Sequence, residues 1–85
     1  MKVLLLLAKG FETMEASVFI DVFGWAETSY NYDVEVVTCG VRETVVSAFG
    51  VPVKVDKLLK DVRAEKYDAL ALPGGFEEFG FYEEA

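Results

Sequence analysis

The chain has 85 residues, 53% of them apolar, with eight Lys or Arg against fifteen Asp or Glu and a formal net charge of −7. The basic footprint that nucleic acid requires is missing, and with no histidine the chain supplies neither an imidazole base nor an imidazole metal ligand. One cysteine excludes an internal disulfide framework and suits a reducing cytoplasm, while the apolar content is that of a larger domain's interior.

Residues 2–8, "KVLLLLA", form a continuous apolar run rather than an alternating one. Such a run reads as a strand covered on both faces, as in a parallel sheet flanked by helices. It is too short to span a bilayer, and Lys9 interrupts it with no small-residue cleavage site behind it, so neither an anchor nor a signal peptide is expected. Gly10 ends the run. Thr13 is the expected N-cap of an amphipathic helix over "MEASVFIDVFGWAETS". Met14, Val18, Val22 and Ala26 fall four apart there, with Phe19 and Phe23 beside them, giving one wide apolar face. Gly24 inside the helix weakens it slightly and suggests close packing.

"YNYD" then turns the chain into "VEVVTCG", residues 34–40, a second strand ended by Gly40. Strand, helix and strand in that order make a βαβ unit with a right-handed crossover. "ETVVSAFGVPVKVD" reads as two short extended arms around Phe49-Gly50, a hairpin kept to an edge by Pro52. "DKLLKDVRAEK" is expected to be a short helix capped by Asp56, with Leu58, Leu59 and Val62 inward. "YDALALPGG" is the third buried strand, and "FEEFGFYEEA" a loop leading toward another helix. Three parallel strands and two helices cannot cover both faces of a sheet, and the last strand leaves an open apolar edge. The expected organisation is therefore the N-terminal half of a domain roughly twice this size.

Ligand sites in open α/β sheets lie at the carboxyl ends of the parallel strands. "AKGFETMEA", "TCG" and "LPGGFEEFG" all reach that edge. Gly74-Gly75 lacks Cβ atoms, so it can turn sharply and present backbone N–H groups to an anion or a developing oxyanion; on spacing alone it reads as a plain strand-exit turn. No GxGxxG opens a helix and no Walker A loop is present. Glu15 lies in the first turn of a helix with apolar neighbours at 14, 18 and 19. Its carboxyl is either aimed along a buried seam, where desolvation would keep it protonated and a hydrogen-bond donor, or a solvated first-turn acid stabilising the helix. Cys39 ends a strand with no base or cation beside it and reads as a small buried apolar residue. Glu77, Glu78, Glu83 and Glu84 read as solvated surface, since no calcium-loop spacing accompanies them.

Two segments taken together, "LLLLAKGFETMEASVFIDVF" and "YDALALPGGFEE", resemble the N-terminal half of the ThiJ/PfpI family, a deglycase and chaperone family of the class I glutamine amidotransferase-like fold. The resemblance covers nearly all of the chain, and residues 1–85 would be the N-terminal portion of one such domain. It implies a flavodoxin-like three-layer α/β sandwich with a mainly parallel sheet. It also implies a reactive cysteine on a strand-to-helix elbow, with Glu15 as the protonated carboxyl that hydrogen-bonds the thiol. A neutral donor of that kind stabilises the thiolate. The backbone at Gly75 would supply an oxyanion-hole N–H. The elbow would follow a fourth strand, beyond Ala85, and Cys39 does not take its place; the 85 residues alone are expected to be inactive.

The expected function of the intact protein is thiolate chemistry on a small molecule or peptide: hydrolysis, hydration, or deglycase- or glyoxalase-type conversion. No cofactor and no metal is expected. The partners implied are the C-terminal half of the domain and a second copy meeting it through the first helix, around Val18, Phe19, Val22, Phe23 and Trp25, with neither nucleic acid nor membrane. Two alternatives are a redox-sensing chaperone or ligand-sensing module of the same fold, and a plain interaction domain in which Glu15 is only a solvated acid.

Overall fold

A computed structural model describes residues 1–80. Strand β1 (Lys2–Leu6) leads into helix α1 (Thr13–Tyr30) and strand β2 (Glu35–Gly40). Strands β3 (Thr44–Val46) and β4 (Pro52–Lys54) follow, then a two-residue strand β5 (Lys57–Leu58), two 3-10 turns, strand β6 (Ala69–Ala71), and a last 3-10 turn at Glu77–Phe79. The main sheet has the order β5-β2-β1-β6 with every pairing parallel, and β3 and β4 form a separate antiparallel hairpin, as expected. This is an α/β fold with a mainly parallel sheet.

β1 lies in the middle of this sheet. Val3 faces Val36 on one side and Ala69 on the other, and Leu5 faces Thr38 and Ala71. Odd positions of the run pack Val3, Leu5 and Leu7 against Phe11, Ala16, Val45, Val55 and Ala71, with Phe19 and Phe23 of α1 closing over them. Even positions put Leu4 and Leu6 with Val37, Cys39, Val62 and Tyr67 on the opposite face. A run apolar at both parities is what a doubly covered strand needs.

Several sequence expectations change. The N-cap of α1 is Glu12, whose carboxylate accepts the Met14 N–H at 3.4 Å; Thr13 is the first helical residue, and its hydroxyl is buried without a hydrogen-bond partner among the described residues. The helix buries Ala16 and half-buries Phe19, Phe23 and Ala26, whereas Met14, Val18, Val22 and Trp25 are exposed. At about 100° per residue the two apolar stripes adjoin around the helix, Val22 lying one turn before Ala26, and the aromatic pair faces inward. Gly24 serves no close packing, since a Cβ there would meet nothing within 4 Å. α1 ends at Asn31, whose left-handed φ of 57° lets its N–H reach the Ala26 carbonyl.

The helix expected over 56–66 does not form. Asp56 is drawn to the end of β2 instead: its Oδ2 accepts the Thr38 N–H at 3.0 Å, and its own N–H reaches the Thr38 carbonyl at 3.1 Å. That pairing fixes the next two residues as β5, and the remainder is left as 3-10 turns at Leu59–Asp61 and Ala64–Lys66. Leu59 is exposed, while Leu58 and Val62 are half-buried. Nor is the third strand buried throughout. Ala71 is buried, but Leu70 and Leu72 are 63% and 56% exposed because β6 is an edge of this sheet. The expected acidic surface at Glu83 and Glu84, and the end of the segment leading to a further helix, lie outside the described residues.

Candidate functional site

The chain leaves β1 toward β2 on one side of the sheet and later returns to β1 from the other side as β6. The strand order thus reverses between β1 and β6, and the crevice at their carboxyl ends is where such sheets place ligands. Two loops meet there, residues 7–12 and residues 72–76.

The loops are joined by backbone hydrogen bonds. The Glu12 N–H donates to the Gly74 carbonyl at 2.7 Å, and Phe11 bridges Gly75 in antiparallel sense. Because the bond runs from Glu12 to Gly74, Phe11 and Gly75 form a non-hydrogen-bonded pair, and the Gly75 N–H is turned away from the 10–12 segment. The hairpin is tied to the same loop: the Gly10 N–H donates to Val46 at 2.8 Å, and the Ala48 N–H to Phe11 at 2.9 Å. Phe11 is 1% exposed and is the largest fully buried side chain of the loop. Gly10 has φ +77°, and a Cβ there would come within 2.6 Å of the Phe79 carbonyl oxygen, so glycine is required on both counts.

Glu15 and the glycine pair, singled out separately in the sequence, meet here. The Gly74 N–H donates to Glu15 Oε1 at 2.7 Å across 59 residues of chain. The carboxyl is nevertheless exposed, not sunk along a buried seam: Glu15 lies one turn before Phe19 but in the first turn of α1, where its carboxyl meets the Gly74 N–H instead of the core. Gly75, half-buried, is the next residue along.

Cys39 is not part of this arrangement. It is fully buried at the end of β2, among Leu4, Leu6 and Val37, and burial in apolar surroundings pushes its thiol above the usual 9.0. Three phenyl rings did not stand out as a cluster in the sequence because Phe49 lies in the hairpin, far along the chain from Phe76 and Phe79. Phe49 at the hairpin tip, 78% exposed, lies 5.3 Å from Phe79, which is 5.9 Å from Phe76 in an edge-to-face contact. They form an aromatic rim on the segments that adjoin Phe11 and Gly75. Glu12 was also missed, because glutamate is not a preferred N-cap residue and Thr13 next to it is.

The DJ-1/PfpI family model matches residues 1–82. The chain belongs to the DJ-1/PfpI family. An oxidized DJ-1 from Toxoplasma gondii is 40% identical, superposes with a TM-score of 0.75, and is matched over 89% of this chain and 39% of its own. YraA of Bacillus subtilis, named as a candidate cysteine protease, is 32% identical over 75 residues, 88% of this chain and 42% of its own length. An AraC family transcriptional regulator from Pseudomonas putida, 20% identical with a TM-score of 0.75 over 88% of this chain and 47% of its own, shares the fold. The chain thus spans less than half the length of these relatives. Among the described residues no helix is long and apolar enough to cross a membrane.

Proposed function

We propose that this chain is the N-terminal portion of a DJ-1/PfpI domain whose whole form reacts through a cysteine thiolate held at the β1/β6 crevice. The thiolate comes from the C-terminal portion. Glu15 faces it as a hydrogen-bond donor, and the Gly75 N–H binds the developing oxyanion of a small-molecule or peptide carbonyl. The observation that carries this reading is the 2.7 Å hydrogen bond from Gly74 to Glu15, which brings a carboxyl and a glycine turn together where the strand order reverses. A carboxyl donor stabilises a thiolate and lowers the pKa of its thiol, so the nucleophile is ionised where an ordinary cysteine is not. The reaction class is hydrolysis, hydration or deglycase-type conversion of a carbonyl compound, in a reducing cytoplasm that suits the free Cys39.

Two partners follow. The missing portion of the domain pairs with β6, whose Leu70 and Leu72 are exposed, and a second copy covers the outer stripe of α1 at Met14, Val18, Val22 and Trp25. The decisive experiment is thiol alkylation against pH in the full-length protein and in its Glu15→Gln variant. The variant keeps the fold and changes the curve; coincident curves would remove Glu15 from the mechanism. For the dimer, Val22→Glu is expected to yield monomers in sedimentation, and an unchanged dimer would place the interface elsewhere.

A further inference from the structure

Gly74 is required by its neighbour rather than by its backbone. Its φ is not left-handed; among the described residues the glycines of positive φ are Gly10, Gly50 and Gly80. A Cβ added at residue 74 would stand 3.0 Å from Glu15 Oε1 and 3.9 Å from Oε2. The room a side chain would fill is therefore taken by the Glu15 carboxyl, which approaches closely enough for Oε1 to accept the Gly74 N–H at 2.7 Å.

That hydrogen bond distinguishes the two oxygens. In a neutral carboxyl one oxygen is a carbonyl acceptor and the other carries the proton and donates. A short bond from a backbone N–H favours the better acceptor, so the oxygen it reaches is the carbonyl one. Protonating Oε1 would weaken this bond, whereas protonating Oε2 leaves it intact. The carboxyl is also held in one orientation, at a position where an exposed Glu otherwise samples many rotamers.

We infer that Gly74 is a positioning residue for Glu15: its N–H and its missing Cβ together fix Oε1 as the acceptor and make Oε2 the atom that carries and donates any proton this carboxyl holds. The inference rests on the reading of Glu15 as a donor to a thiolate and narrows that reading to one atom and one supporting residue. It also makes Glu15→Gln informative. A glutamine whose Oε1 accepts from Gly74 must present its amide Nε2 where Oε2 was, a donor that does not titrate.

Two measurements on the full-length protein test this, with wild type, Gly74→Ala and Glu15→Gln compared. In the first, the Gly74 amide resonance is followed by NMR as pH is varied. It is expected to move with the Glu15 carboxyl signal in wild type and to stay constant over the same range in Glu15→Gln; an amide indifferent to pH in wild type overturns the inference. In the second, alkylation by iodoacetamide is measured against pH. Gly74→Ala asks only the mobile end of the Glu15 side chain to shift, so the fold is kept while the donor is misaligned. The alkylation midpoint should rise by about one pH unit, roughly a tenfold loss of thiolate below it, and a Gly74→Ala curve superimposed on wild type overturns the inference. A wild-type protein without a readily alkylated thiol removes the proposed function instead, and the amide titration then decides by itself whether Gly74 fixes the carboxyl.

Discussion

β1 and β6 are neighbours in one sheet with similar sequences, "VLLLL" against "ALAL", and their leucines have opposite fates. Leu4 and Leu70 sit side by side in the register, yet Leu4 is 7% exposed and Leu70 is 63% exposed. β1 has a strand on each side and cover on each face; among the described residues β6 has one neighbour, and beside Leu70 lies an open cleft of about 270 Å³ shared with Leu4, Ala64 and Tyr67. An apolar run reports what a strand needs to have covered. The cover itself depends on which elements arrive, and that information lies elsewhere in the chain.

Truncating the two strands equally should separate them most. Leu5→Ala, at a fully buried position, is expected to cost about 2–5 kcal/mol in denaturant unfolding, whereas Leu70→Ala in the 85-residue chain should stay within about 0.5 kcal/mol. If a further strand pairs with β6 in the longer protein, the Leu70→Ala cost measured there rises toward that of Leu5→Ala. Equal costs for the two leucines in the short chain would abolish the contrast.

Next in size is the loop at the end of β1. Gly10→Ala combines a left-handed φ with a backbone clash at Phe79 and should cost roughly 1–3 kcal/mol. The other end of the sheet provides a milder counterpart. Asp56→Ala removes the acceptor of the Thr38 N–H and should cost about 0.5–1.5 kcal/mol, with hydrogen exchange quickening at the end of β2 while β1 stays protected.

The smallest effect concerns Cys39. Its thiol is raised in the folded chain, so folding favours the protonated form. The stability this gives is fully present below the unfolded value near 9.0 and is lost as pH rises through the higher folded value. Melting measured at pH 8 and pH 10, with Cys39→Ala as control, should show a slightly steeper alkaline loss in the parent. Native Cys39 should also resist thiol reagents at neutral pH, and rapid labelling would contradict its burial.

How far the sequence reaches follows the same division. β1, β2 and the hairpin were legible because period and punctuation are local signals. The orientation of α1 was not, since Met14, Val18 and Val22 make as good an apolar stripe as Ala16, Phe19 and Phe23, and only the rest of the chain selects between them. The stretch from Asp56 carries helical spacing, but its first residue is claimed by Thr38, eighteen residues earlier. At the candidate site, the positions of Glu15 and Gly75 at one sheet edge could be inferred from element order. The hydrogen bond from Gly74 could not, because it depends on how closely α1 and the exit of β6 approach.

That hydrogen bond also ties the site to the order in which the chain is made. Glu15 and Gly74 are separated by 59 residues, and the entropy of closing so long a loop must be met before their contact forms. During synthesis β1, α1 and β2 emerge well before β6, and until β6 docks Glu15 is an ordinary solvated acid on a helix. No half-made chain displays the assembled crevice. The carboxyl and the glycine turn are thereby kept apart until the sheet that carries them has closed.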